Sequence, residues 1–588
     1  MLLDLKSNQA GVTTGLAVRV VAVTLAALLV RFLYTGYQSR AKVRKLAAQG
    51  IVSLTMMMMA EMDLWKEKHR WTGHIKILFE FRNSHPSDVS FYRFPQWLKA
   101  TQGRHFPDGK VPGVVYVDLW PLTYSYAFVL DGEAGTQFTM SPSLDKHAVV
   151  GDYLRLMTHG HDLFAGNGQL WKKWRTRLNP GFSSRHMATM IPDILDEVII
   201  FADILKAKAG VDGAWGDVFE MEPKAINLTF NVITRTVMCC YSLTWSWTAY
   251  SDIAMNDQKA EKGHPIKTSM IEQIELINKV FVNPLPALPF TPKARQLKAI
   301  EGYNDAVRDI LQPLIETKIT ERAEGSEGSN NKKNKDTKRQ TSLCMALQTM
   351  DRDLEKEGPG ADQAAYIDQL IGNLKIMMFA GHDTTAITIC MMFKCLQDNP
   401  RCLEALRAEH DAVLGPDTDV DKVADTIKAS PHLIHSLPYT LAVIKETLRL
   451  YPIASTVRQG TNECFLRPRG EETTQYPTAG WAVWSGITVI HKDPEYWPRP
   501  DEFLPERWTV EAGHPLHPVL KHAWQAFSIG PRNCIGMELA LTELKLVSVF
   551  TARTFEIREA WDEWDKERQV PSPPLFVVFP LVSPSFAN

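Results

Sequence analysis

Five residues within one short run carry the strongest chemical signal in this chain: Phe527, Gly530, Arg532, Cys534 and Gly536, opening into the apolar pattern Met537-Glu-Leu-Ala-Leu-Thr-Glu. A glycine-punctuated turn delivers the thiol to the start of a helix. There the backbone dipoles favour a thiolate, the form of cysteine that binds metal. Gly530 and Gly536 leave room for a flat ligand against the backbone, Phe527 can shield the sulfur, and Arg532 offers a fork of donors to a carboxylate. An ordinary buried cysteine at a helix start accounts for Cys534 alone. It does not account for all five residues at this spacing.

Three further constellations surround that signal. In the apolar stretch 362–396, Ala380-Gly381-His382-Asp383-Thr384-Thr385 places small residues, an acid and alcohols in a helix interior, where threonine hydroxyls compete for backbone carbonyls. Local distortion of the helix there would open a groove for a small molecule. The alternative is a polar patch satisfied inside a helix bundle. His382 has no second histidine or carboxylate at ligand spacing and reads as a groove or packing residue. Glu446 and Arg449 share one helix face and can pair, although an isolated pair of this kind is commonly exposed and weak. Trp171 and Arg175 lie one helical turn apart. With Lys172, Lys173 and Arg177 they also read as a basic face, suited to solubility or to an acidic partner.

The run F-x-x-G-x-R-x-C-x-G resembles the haem-thiolate signature of the cytochrome P450 superfamily, and the other constellations follow in that family's order. The resemblance extends from Val114 to the C-terminus. It implies a mixed α/β, predominantly α-helical fold with a smaller strand-rich subdomain, and haem b whose iron takes the Cys534 thiolate. By the same resemblance Trp171, Arg175, Arg458 and Arg532 contact haem, with Phe527 and Gly536 beside it. Glu446 and Arg449 with Arg507, from Pro505-Glu-Arg507-Trp508, form a buried structural cluster whose disruption costs several kcal/mol. Asp383 and Thr384 deliver protons during dioxygen activation. The activity implied is that of a monooxygenase inserting one atom of O2 into a hydrophobic small molecule. Segments 153–163, 379–384 and 453–457 would touch that substrate.

No G-x-G-x-x-G opens a helix after a strand and no Walker A run is found, so electrons must come from another protein; the resemblance implies NADPH–cytochrome P450 reductase. Val117-Asp-Leu-Trp-Pro121 adds a likeness to fungal enzymes that tailor secondary metabolites. A haem-thiolate isomerase or dehydratase would share Cys534 without needing dioxygen. A haem sensor or carrier would share the ligand without needing the Asp383–Thr384 pair.

The elements that must position these residues follow from composition and pattern. The 588 residues are 45% hydrophobic and 22% charged, which excludes wholesale disorder. A net charge of −2 gives no pull toward nucleic acid. Eight cysteines without a C-x-x-C suggest a reducing compartment. Val114–Leu119 and Tyr126–Leu130 read as neighbouring strands. Residues 362–396 read as a long helix stopped at Asn399-Pro400, and Tyr439–Tyr451 as a second helix ended by Pro452.

Val12–Leu33 is apolar on the scale of a bilayer, and Arg19 and Arg31 can snorkel to the headgroups. Arg40, Lys42, Arg44 and Lys45 follow it, which places the bulk of the chain in the cytoplasm. The expectation is a single-pass membrane protein, of the endoplasmic reticulum, rather than one with a cleaved signal peptide. The chain divides into 1–45 as anchor and basic flank, 46–110 as connecting segment and 111–588 as catalytic domain. A polar linker is expected at 321–339. Met56–Met59 would lie against the membrane surface or pack in the core. The proline-rich hinge usual after such an anchor is missing, since no proline occurs between Gln49 and Phe81.

Overall fold

The first two strands of this chain carry no polar face, because both of their sides are covered. Val114–Val117 (β1) and Tyr126–Val129 (β2) are buried at every position. The computed structural model describes residues 2–49, 51, 75–86, 89–106, 109–140, 143–210, 214–238, 258, 264–282, 287–327, 341–357, 362–471 and 473–561. β1 and β2 pair antiparallel, with Val115 opposite Phe128. With Val457–Gln459 (β3) and Ala482–Ser485 they form a four-stranded sheet, while Phe465–Leu466 (β4) and Tyr476–Pro477 (β5) make a separate antiparallel pair. Ala482–Ser485 (β6) runs parallel to β2 and antiparallel to β3. The pleat sorts the side chains. Val115, Phe128 and Trp484 join the large core, whereas Val114, Tyr116, Ala127 and Val483 pack into a second cluster with Leu46, Ile51 and Trp481.

Helices supply the rest, giving the mixed, predominantly α-helical fold expected from the sequence. Leu2–Ala48 (α1) is one continuous helix. Every described side chain from 22 to 34 is exposed, while Leu46 is buried under the sheet. Ala148–Thr158 (α2), Gly168–Leu178 (α3), Met221–Met238 (α4) and Pro292–Glu327 (α5) surround the long helix Gln363–Asp398 (α6). Asp362 caps α6 by accepting the Ala364 amide at 2.8 Å, and Pro400 begins the next helix. Pro438–Leu450 (α7) and Met537–Ala552 (α8) complete the frame of the site.

Among the described residues, α6 is the helix long and apolar enough to cross a membrane, but 72% of its apolar window is buried inside the protein. It is a core helix. Of the run read as a polar linker, residues 321–327 extend α5, held by the pairs Lys318–Glu321 and Arg322–Asp351; the remainder lies outside the described residues. Met56–Met59 also lie outside them.

Candidate active site

The turn before α8 is built from backbone that only special residues adopt. Ser528 and Gly530 have φ of 57° and 80°. A Cβ at Gly530 would sit 2.3 Å from the Thr139 carbonyl oxygen, a backbone atom that cannot yield. The Cys534 amide donates to the Phe527 carbonyl at 2.8 Å and the Asn533 amide to that of Gly530 at 3.1 Å, closing the loop. Gly536 then caps α8. A Cβ there would meet only the Cys534 sulfur, at 3.9 Å. Cys534 lies deep in the protein, yet its side chain is exposed, so the sulfur faces a void rather than packed atoms. Burial pushes the thiol pKa up, and the Gly536 amide, Arg175 and Lys146 pull it back.

Cations gather around that void. Arg532 donates to Asn167 Oδ1 at 2.6 Å and to the Gly166 carbonyl, lies 3.5 Å from the half-exposed Asp145, and stacks on Trp171 at 4.7 Å. Arg175 donates to the Asn533 carbonyl and side chain at 2.8 and 2.9 Å, which ties α3 to the cysteine loop. Arg458 is fully buried and gives one bond, to the Leu144 carbonyl at 3.2 Å; its Nε and second Nη have no hydrogen-bond partner. Burial holds Arg458 down to about 9, with repulsion from Arg532 adding to it. The Nε of Arg532 is also unsatisfied.

Lys146, which nothing in the sequence singled out, belongs to the same group. Its backbone bridges that of Arg458, and burial, then Arg458 and Arg532, push its ammonium well below the ordinary lysine value. Buried cations with spare donors suit a further anion, since the exposed Asp145 reaches Arg532 only at 3.5 Å and leaves the Arg458 donors open.

Glu446 of α7 is the centre of a fully buried network. Its carboxylate accepts from Arg449 Nε and Nη2, from Arg507 Nε, from the Leu504 amide and from Trp508 Nε1, all at 2.9–3.1 Å. Arg449 also donates to the carbonyls of His491, Pro500 and Glu502, and Arg507 to those of Pro498 and Arg499. Side chains are 0% exposed in both ion pairs. Spacing showed the Glu446–Arg449 pair; Trp508 and the carbonyl partners come from segments about 40–60 residues away and left no local signal.

On α6 the expected distortion is not found: the helix is continuous from Gln363 to Asp398. Thr384 Oγ1 donates to the Ala380 carbonyl at 2.9 Å, and Thr229 of α4 donates to the His382 carbonyl at 2.7 Å, so these hydroxyls are paired without breaking the helix. Gly381 serves packing instead, since a Cβ there would meet Ile233 of α4 at 2.6 Å. Ala380 is exposed and Thr384 half-buried, giving the core helix an open face. His382 is buried against Phe230 and Phe379 with Nδ1 2.8 Å from the Met378 carbonyl; it is a packing residue. Asp383 is buried with Oδ2 unsatisfied, and burial, with Glu222 adding to it, raises its carboxyl to about 7. Among the described residues, no group of three or more His, Cys, Asp or Glu is placed to hold a metal ion.

Residues 139–579 match the family pattern described as cytochrome P450. The chain belongs to the cytochrome P450 family. It is 30% identical to the cytochrome P450 monooxygenase polC of Polytolypa hystricis, over 93% of this chain and 89% of that one. It is 29% identical to the cytochrome P450 monooxygenase acrF of Aspergillus aculeatus, over 77% of this chain and 86% of that one. A crystal structure of a cytochrome P450 (CYP102L1) shares the fold, with a TM-score of 0.59 and 20% identity across 80% of this chain and 93% of the other.

The protein is accordingly a P450 monooxygenase, an oxidoreductase whose cofactor is haem b with iron on an axial cysteine thiolate. Its chemistry draws on a reductase, a substrate and O2. The residues present fit that cofactor. An open-faced sulfur at a glycine-lined helix start suits the metal, and unsatisfied buried arginine donors suit the carboxylates at the rim of the ring.

Proposed function

We propose that this P450 is a membrane-anchored monooxygenase that inserts oxygen into a hydrophobic small molecule, as a tailoring step in secondary metabolism. The observation that carries the site reading is Cys534, exposed within the interior beside Lys146, Arg458 and Arg532. In this reading Cys534 would hold the haem iron through its thiolate, and Arg458, Arg532, Arg175 and Trp171 would hold the propionate edge with Lys146 as a further cation. Phe527 and Gly536 shape the sulfur side. Bound haem would supply the activation of dioxygen.

The chain's own part is to hold substrate and move protons. Thr384 keeps its hydroxyl hydrogen on the Ala380 carbonyl, leaving its oxygen free to accept from a water. Asp383, poised near neutrality, can hold or release a proton at Oδ2. Glu446, Arg449 and Arg507 keep the loop leading to Cys534 in place and take no part in chemistry.

Likeness to the monooxygenases polC and acrF supports oxygen insertion, and the resemblance carried by Val117–Pro121 supports the tailoring role. The exposed apolar side chains of Val23, Leu28, Leu29 and Val30, followed by Arg40, Lys42, Arg44 and Lys45, support α1 as a single-pass anchor in the endoplasmic reticulum. The division into anchor 1–45, connecting segment 46–110 and catalytic domain 111–588 is part of this reading, as is NADPH–cytochrome P450 reductase on the same membrane. The test is the carbonyl complex of the reduced protein. Wild type gives the red-shifted Soret band of a thiolate ligand, and Cys534→His loses it. Retention in the variant overturns the site. The metabolite that accumulates when the gene is removed then identifies the substrate.

A further inference from the structure

The run Val117-Asp-Leu-Trp-Pro121 plays no part in the site, and the structure shows what it touches. Asp118, whose side chain is 0% exposed, forms an ion pair with Arg40 of α1. Its Oδ1 also accepts from Ser39 Oγ at 2.7 Å, from Ser125 Oγ at 2.8 Å and from the Trp120 amide at 3.2 Å. The Trp120 indole donates to Thr35 Oγ1 at 3.3 Å, packs on the Phe32 ring at 4.7 Å and lies beneath the Arg40 guanidinium at 5.7 Å. Gly36 faces that ring so closely that a Cβ would sit 2.5 Å from Trp120 Cη2. Farther along, Lys42 Nζ donates to the Gly480 carbonyl at 2.8 Å.

Phe32, Thr35, Gly36, Ser39, Arg40 and Leu46 fall on one helical stripe, about 20 Å long at 1.5 Å per residue. That stripe is seated on the catalytic part of the molecule. The helix contains no proline and is unbroken from Leu2 to Ala48, so the exposed apolar stretch before Phe32 is a stiff extension of a docked segment. The turn that makes the clasp also carries Leu122 and Tyr124, 45% and 39% exposed, within four residues of the Trp120–Phe32 contact. The Tyr124 hydroxyl donates to Asp152 Oδ2 at 2.6 Å, so the apolar surface of this tip is Leu122 and the Tyr124 ring, close in sequence to the Trp120–Phe32 contact at the end of the exposed helix.

We propose that the Asp118–Trp120 turn is a clasp for the chain's own anchor helix, replacing the missing hinge. It holds the catalytic domain at one tilt on the bilayer and seats the Leu122–Tyr124 tip against lipid. This rests on the reading of α1 as a membrane anchor. The occupant is a lipid surface because the tip adjoins the apolar helix at Phe32, and because Arg44 and Lys45, both exposed, stand beyond it, where anionic headgroups would meet them.

The test uses full-length haem-loaded protein in nanodiscs of mixed neutral and anionic phospholipid. Gly36→Leu is a change on the helix side that forces the Trp120 ring away without altering the catalytic domain; Arg40→Gln is a second route to the same opening. The measurements are trypsin cleavage between Lys42 and Lys45, and the oxygen accessibility of a nitroxide at Leu122→Cys read against unsubstituted protein. Wild type should resist cleavage and show a lipid-immersed label. Both variants should keep the reduced carbonyl spectrum and stay with the nanodiscs, yet be cut about ten-fold faster and lose label immersion. Unchanged cleavage and immersion in both variants overturn the clasp. Wild type that fails to enter nanodiscs removes the anchor reading; the clasp is then judged by the same cleavage comparison in detergent, where equal rates refute it.

Discussion

Lys146 and Arg458 are joined by one antiparallel backbone bridge, which sets two buried cations side by side. Lys146 Nζ donates to the Thr456 hydroxyl at 3.1 Å and lies 4.4 Å from the Phe164 ring centre, with no carboxylate bonded to it among the described residues, and Arg458 keeps two nitrogens unsatisfied. Such a pair costs stability until an anion arrives. Lys146→Met should therefore stabilise the haem-free protein, by about 1 kcal/mol, while weakening its hold on haem. Calorimetry of the apoprotein and haem transfer to apomyoglobin report the two effects, which run in opposite directions.

Glu446 compensates two fully buried arginines at once. Glu446→Gln keeps the shape but leaves both guanidiniums short of a counter-charge, at about 3–5 kcal/mol. The expected outcome is protein recovered largely without haem and with a lower urea midpoint. Arg401→Gln, which breaks a partner pair with the exposed side of Glu506, should cost less than about 1 kcal/mol and serves as the comparison.

The raised carboxyl of Asp383 makes stability depend on pH. Folded, it titrates at about 7; unfolded, it returns to the ordinary aspartate value near 4. Between those values the folded state binds the extra proton, so stability falls as pH rises through that window. Asp383→Asn removes the slope. The variant should match wild type near pH 4 and exceed it at pH 8 by up to ~4 kcal/mol, while turnover slows because a proton source has become a neutral amide. Thermal midpoints across the pH range decide it.

Thr384→Ala removes a hydroxyl from the open face of the core helix without touching the cysteine loop. Substrate binding and NADPH consumption should persist, with roughly two-fold or more of the electrons diverted from product to hydrogen peroxide. Product formed per NADPH, in enzyme reconstituted with reductase, is the measurement. Equal coupling in variant and wild type would remove Thr384 from the proton path.

Residue order determined what lies close along the chain. The cysteine turn is legible because its parts are neighbours: Gly530 must take a positive φ, and Gly536 must clear the sulfur. The long helix ending at Asn399-Pro400 and the strands around Val115 and Phe128 are legible for the same reason, being carried by local pattern and by proline. Tertiary structure decided what crosses the chain. It brought Lys146 beside Arg458 over more than 300 residues, and Trp508 to Glu446. It set Thr229 of α4 against the His382 carbonyl, and α6 runs continuously where composition suggested a local distortion. It also joined Arg40 to Asp118, giving the Val117–Pro121 run a purpose that no spacing reveals. The reason is physical: capping, turns and helix faces are set by groups a few residues apart, whereas pairing a buried charge depends on which distant segments the packed core makes neighbours.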